Sequence, residues 1–171
     1  LDENMKAVIA EKIPFAKYYV QEIAADEHYI LNGEKYLVNF EYQGQEMTTV
    51  YVDCGQFKNL LKRGTVKGIK VNEADEPLEN ALFGLFNTDC EEFTADNAIM
   101  TSESDSKGEF GFEEVPFGNY IVREIAAPEG YVLSDESYPA TVPENEETIN
   151  IRTVNEKIKG CLLYTSPSPR D

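Results

Sequence analysis

The stretch "IPFAKYYVQEIAADEHY", Ile13 to Tyr29, recurs almost intact as "VPFGNYIVREIAAPEGY", Val115 to Tyr131. The two align without a gap at one offset, 116 − 14 = 102 from Pro14 to Pro116, and the same from Glu22 to Glu124. A second pair of marks, "NLLKRG" from Asn59 and "NEKIKG" from Asn155, aligns at 155 − 59 = 96, so the first copy is 102 − 96 = 6 residues longer between the marks. Self-similarity at a fixed spacing is the signature of modular architecture and limits the fold to units that stack or string together. A fresh stretch, "TVKGIKVNEADEPLENALFGLF", follows Gly64, whereas "CLLYTSPSPRD" follows Gly160. Residues 1–61 therefore read as the C-terminal part of a truncated first unit and 64–160 as one complete unit. Residues 161–171 break the acidic pattern and look like translated adapter sequence, so they are expected to be disordered and are set aside. Leu1 is not a start methionine, which reads as an internal fragment of a longer tandem array.

The complete unit reads as all-β. Short alternating runs are separated by turn residues, the pattern of a sandwich. Strands are expected near 65–72, 80–87, 97–102, 109–114, 119–126, 137–142 and 147–155. "NEADEPLEN" and "SDSKGE" supply turn chemistry between them. No stretch combines a helical apolar period with caps. The first unit lacks its opening strands and is expected to expose unpaired edges.

Side chains alternate across a strand, so parity tells which residues share a face. Tyr120, Val122 and Glu124 share one, as do Ile149, Ile151, Thr153 and Asn155. Val66, Gly68 and Lys70 share a face of the opening strand, although Ile69 and Val71 argue for its other side. If the apolar members face the core, Lys70, Glu124 and Asn155 go with them. Burying a lone charge costs several kcal/mol, and burial favours the neutral amine and the neutral acid. A neutral amine is a nucleophile, and a carboxamide held against it is an acceptor that a neighbouring acid can activate. The product would be an amide between Lys70 Nζ and Asn155 Cγ, with ammonia released. The same parity also fits a plain Lys70–Glu124 ion pair, and Asn155 also fits a strand-end turn residue.

Composition excludes several function classes. Lys+Arg number 15 and Asp+Glu 32, a net charge of −17 that repels nucleic acid and anionic membranes. No apolar run approaches the roughly 20 residues of a membrane span. Cys54, Cys90 and Cys161 form no CxxC, and Cys54 and Cys90 lie in different units, which disfavours a disulfide between them. His28 is the one histidine, so a histidine-dependent triad and a multi-histidine metal site are excluded by count. No cofactor, metal site or turnover enzyme is expected.

Three segments carry a family resemblance: "GTVKGIKVNEADEPLENALFGLF", "GEFGFEEVPFGNYIVREIAAPEGY" and "INIRTVNEKIKG". Together they resemble a SpaA or Cna protein B-type repeat of Gram-positive adhesins and pilins. The resemblance covers 64–160 fully and 1–61 as a C-terminal part. It implies a seven-stranded, Greek-key, prealbumin-like (immunoglobulin-like) β-sandwich with a Lys–Asn or Lys–Asp isopeptide bond promoted by a glutamate. Carried over, Lys70 matches the nucleophile, Glu124 the proton relay and Asn155 the acceptor, while Lys67 is disfavoured by parity. Glu22 and Asn59 match the relay and acceptor of the first unit. Gly68 stands where a bulky apolar residue would shield the site from water. The resemblance implies a structural stalk repeat on the bacterial cell wall, extracellular, with neighbouring repeats of the same chain as partners. A ligand-binding adhesin module for host matrix or glycan is the alternative, with Phe93 and Phe117 as candidate exposed aromatics.

Overall fold

The computed structural model describes residues 6–8, 11, 13–47 and 49–161. The expected adapter segment therefore lies outside the described residues, except for Cys161. The chain divides into two compact units, Leu1–Leu60 and Leu61–Asp171. Every regular element among the described residues is a β-strand.

In the first unit, β1 (Lys17–Gln21), β2 (Tyr29–Ile30) and β3 (Lys35–Asn39) precede β4 (Leu60–Leu61) at the boundary. β1 and β3 pair antiparallel, from Lys17 opposite Asn39 to Gln21 opposite Lys35. Tyr18 donates its hydroxyl to the Pro14 carbonyl at 2.8 Å and sets its ring edge-on to Phe40. Val38 is buried, whereas Tyr19, Ile23 and Leu37 are exposed. β1 has β3 as its one named strand partner among the described residues.

The second unit is a sandwich of two sheets. Its strands are β5 (Arg63–Asn72), β6 (Leu82–Asn87), β7 (Met100–Glu103), β8 (Glu109–Pro116), β9 (Gly118–Ala126), β10 (Ser137–Val142) and β11 (Thr148–Asn155). One sheet runs β10-β9-β6-β7 and the other β11-β5-β8. β5 and β11 are parallel, with Thr148 beside Thr65 and Asn155 beside Asn72. The remaining neighbours are antiparallel. Inward positions of both sheets form the core, including Val66, Phe83, Leu85, Phe112, Val122 and Val142. Tyr120, offset by 102 from Tyr18, repeats its bond by donating to the Pro116 carbonyl at 3.0 Å.

The face of β5, ambiguous by parity, is resolved here. Val66 and Lys70 point inward and Ile69 is exposed, while Val71 and Asn72 are buried as well. The period breaks because the chain turns at Asp75 and folds back on the strand end. Asn72 N donates to Glu76 O, Leu78 N donates to Lys70 O, and Pro77 bridges Val71. Gly68 leaves no gap in the apolar face. A Cβ built there would meet the Phe110 ring at 2.1 Å, and Phe110 in turn stacks on Phe83 with centroids 3.8 Å apart. The bulky group at this level of the core comes from β8.

Candidate functional site

Lys70, Glu124 and Asn155 meet inside the second unit. β5 contributes the lysine and its parallel neighbour β11 the asparagine, both from one sheet, and β9 brings the glutamate from the facing sheet. The three side chains are buried, Lys70 at 0% exposure, Asn155 at 2% and Glu124 at 3%. Lys70 Nζ donates to Asn155 Oδ1 and lies 3.2 Å from Glu124 Oε1. Asn155 Nδ2 donates to that same Oε1 at 2.9 Å. Glu124 Oε2 accepts the Ser134 backbone N–H at 2.9 Å. One carboxylate oxygen thus touches both the amine and the carboxamide nitrogen, while the other is held by the backbone.

The surroundings explain why these polar groups tolerate burial. Phe83, opposite Glu124 in the β6–β9 register, places its ring centroid 5.5 Å from Lys70 Nζ. That contact and the carboxylate partly compensate the lost hydration. The backbone at Lys70 is fixed by the close approach of Gly108, which accepts Lys70 N at 2.7 Å. A Cβ at Gly108 would sit 2.2 Å from Lys70 O, and its φ of +76° also favours glycine. Burial holds the Lys70 amine below the ordinary lysine value of 10.5, opposed by the charge and hydrogen bond of Glu124 and then by the charge of Glu136. The effect that dominates is desolvation, which favours the neutral, nucleophilic amine.

The first unit carries the matching half of this arrangement. Asn59 Nδ2 donates to Glu22 Oε1 at 2.8 Å, and Glu22 Oε2 accepts the Asn32 backbone N–H at 3.0 Å. Asn59 Oδ1, the atom corresponding to the acceptor of Lys70, is buried with no hydrogen-bond partner among the described residues. Lys67 is exposed on β5, away from the cluster. Phe93 packs edge-on against Phe86 at 5.0 Å beneath the Arg123 guanidinium, and the Phe117 ring lies 5.8 Å from Lys62 Nζ. Both aromatics are half-buried rather than displayed. No cluster of three or more metal-ligating side chains occurs among the described residues, and Cys54, Cys90 and Cys161 are free thiols.

Residues 64–157, just over half the chain, match the SpaA family, described as a prealbumin-like fold domain. The chain belongs to the SpaA family. Among solved structures, the Bacillus anthracis TIE protein is similar, with 28% identity, a TM-score of 0.69 and coverage of 85% of this chain. The match spans 26% of that protein, so this chain corresponds to about a quarter of its length. The group B streptococcus pilus 2b backbone protein shares the fold at 18% identity and a TM-score of 0.51, covering 81% of this chain and 53% of its own. So does GBS52, the minor pilin of Streptococcus agalactiae, at 17% identity and a TM-score of 0.50, covering 91% of this chain and 66% of its own. No significant match is found among the curated proteins.

The structure brings Lys70, Glu124 and Asn155, expected together from strand parity and resemblance, into one cluster in the SpaA unit, and places Glu22 beside Asn59 in the first unit. Sequence reading missed the backbone holders, Ser134 and Asn32. The side chains at these two positions differ and mark nothing themselves; the one sequence signal nearby is the glutamate and tyrosine that follow each at the same offset, Glu34 with Glu136 and Tyr36 with Tyr138.

Proposed function

We propose that the chain is part of a structural stalk in a Gram-positive cell-surface adhesin or pilin-like protein, and that its complete SpaA unit ties itself shut once through a Lys70–Asn155 amide. The observation that carries this reading is the shared contact of Glu124 Oε1 with Lys70 Nζ and Asn155 Nδ2. Glu124 takes a proton from Nζ, and the freed lone pair attacks Asn155 Cγ. The protonated acid then gives its proton to Nδ2, the Cγ–Nδ2 bond breaks and ammonia leaves. A second proton passes from Nζ to Glu124, and the product is a neutral secondary amide. Fixed neighbours supply the large effective molarity that an uncatalysed amide exchange lacks. Low dielectric around the cluster strengthens the electrostatic steps.

A tie between the first and last strands of the sandwich suits a module strung between others. Stalk repeats pass tension from one to the next through those strands. The family membership and the shared fold with pilins support an extracellular setting and partners that are neighbouring repeats.

Intact-mass measurement of the full chain tests the reading. The wild type is expected to be lighter than its calculated mass by one ammonia, and Glu124→Ala to match it. A wild type at its calculated mass removes the crosslink and leaves Lys70 and Glu124 as an ion pair.

A further inference from the structure

The two units share a second construction beside the relay glutamate. "NGEKY" (Asn32 to Tyr36) and "SDESY" (Ser134 to Tyr138) stand at the same offset of 102, with the glutamate and tyrosine identical. In the second unit Ser134 N–H holds Glu124 Oε2 at 2.9 Å, Ser134 Oγ accepts Glu136 N at 3.3 Å, and Tyr138 donates its hydroxyl to Glu136 Oε2. In the first, Asn32 N–H holds Glu22 Oε2 at 3.0 Å, Asn32 Oδ1 accepts Glu34 N at 2.9 Å, and Tyr36 donates to Glu34 Oε2 at 2.9 Å. The same three bonds recur, with Asn32 Oδ1 standing in for Ser134 Oγ, although residues 1, 2 and 4 of the five-residue motif differ.

The strand register explains the recurrence. The pairing of β9 with β10 ends at Arg123 opposite Ser137, and that of β1 with β3 at Gln21 opposite Lys35, so in both units the two glutamates, Glu124 with Glu136 and Glu22 with Glu34, lie one residue beyond the last pair. Tyr138 is anchored by packing against the core cluster. A chain of contacts therefore runs from the core through Tyr138, Glu136 and Ser134 to one oxygen of Glu124. A carboxylate that must serve two nitrogens with Oε1 needs Oε2 tied, or rotation of the group removes Oε1 from between them. The phenols respond to the arrangement: burial and then the Glu136 carboxylate push Tyr138 up, and the Glu34 carboxylate pushes Tyr36 up.

We propose that Ser134, Glu136 and Tyr138 form a positioning motif, Asn/Ser-x-Glu-x-Tyr, that aims the relay carboxylate, with Asn32, Glu34 and Tyr36 as its copy. This rests on the crosslink reading for its role in the reaction, though not for the hold on Glu124 itself. The test is a pulse of cell-free synthesis of the full chain, denatured at intervals, with the fraction that has lost ammonia read by intact mass. Tyr138→Phe and Ser134→Ala are expected to slow the loss by ~10- to 100-fold at an unchanged melting temperature. Ser134→Asn, which installs the first unit's residue, is expected to keep the wild-type rate. Unchanged rates in the first two variants, or a slow Ser134→Asn, would overturn the assignment. Amide hydrogen exchange at Ser134, read by nuclear magnetic resonance, separates the two readings. If the wild type never loses ammonia, the crosslink falls, yet exchange at Ser134 is still expected to accelerate at least ~10-fold in Tyr138→Phe and in Glu124→Ala. Exchange indifferent to Tyr138→Phe overturns the positioning motif whatever the mass shows.

Discussion

Removing Glu124 and removing Asn155 both prevent the proposed amide, but they leave different groups in the core. Asn155→Ala keeps the Lys70–Glu124 pair at 3.2 Å and loses hydrogen bonds to charged partners, about 1.5–3 kcal/mol. Glu124→Ala strands a fully buried ammonium with one neutral acceptor, and breaking a buried pair in this way costs about 3–5 kcal/mol. The lysine has one escape, which is to release its proton. From an unfolded value of 10.5, that release costs at most about 5 kcal/mol at pH 7 and about 2 kcal/mol at pH 9. The folded amine lies below the unfolded one, so between the two values the unfolded chain holds more protons and stability rises with pH. Glu124→Ala is therefore expected to be less stable than Asn155→Ala by roughly 2 kcal/mol at pH 7, with the gap closing by pH 9. Urea unfolding of both full-length variants, followed by circular dichroism, measures it. A gap that is constant between the two pH values, or reversed in sign, would refute the claim that the carboxylate compensates the burial of Lys70.

Two further outcomes follow from the same geometry. Because the proton delivered to Asn155 Nδ2 is the one that Glu124 takes from Nζ, the rate of ammonia loss is expected to fall as the pair gives that proton up to solvent, with a midpoint below the ordinary lysine value of 10.5. A midpoint at or above that value in a pH–rate profile would contradict the desolvated site. Gly68→Val is expected to lower stability by about 1–3 kcal/mol in thermal unfolding, because its Cβ would meet Phe110 at 2.1 Å while Phe110 is held by its stack on Phe83.

The site was legible in the sequence to different depths. β9 and β11 each bury one face, so Tyr120, Val122 and Glu124, and Ile151, Thr153 and Asn155, could be read by alternation. β5 could not, because the fold-back at Pro77 and Leu78 covers the far side of its end and buries Val71 with Lys70. Nor could local pattern reveal that Phe110, forty-two residues beyond Gly68 (110 − 68 = 42), fills the space above it, since that is a cross-strand relation set by the β5–β8 register. The holder of Glu124 was hidden for a different reason. Its working atom is the backbone N–H of Ser134, which carries no side-chain signature, and the side chain at that position differs between the two units.

The parallel pairing of β5 and β11 has a consequence for length. Lys70 and Asn155 are 85 residues apart in sequence yet neighbours in space. Extended fully, that intervening chain would measure on the order of 290 Å. Once Nζ and Cγ are joined, the route along the covalent chain skips this whole segment, which becomes a side loop that pulling on the ends cannot straighten. An array of such units would have a nearly constant contour, behaving as a cord of fixed extent, whereas the same array without the amide would hold a large reserve of slack in every repeat.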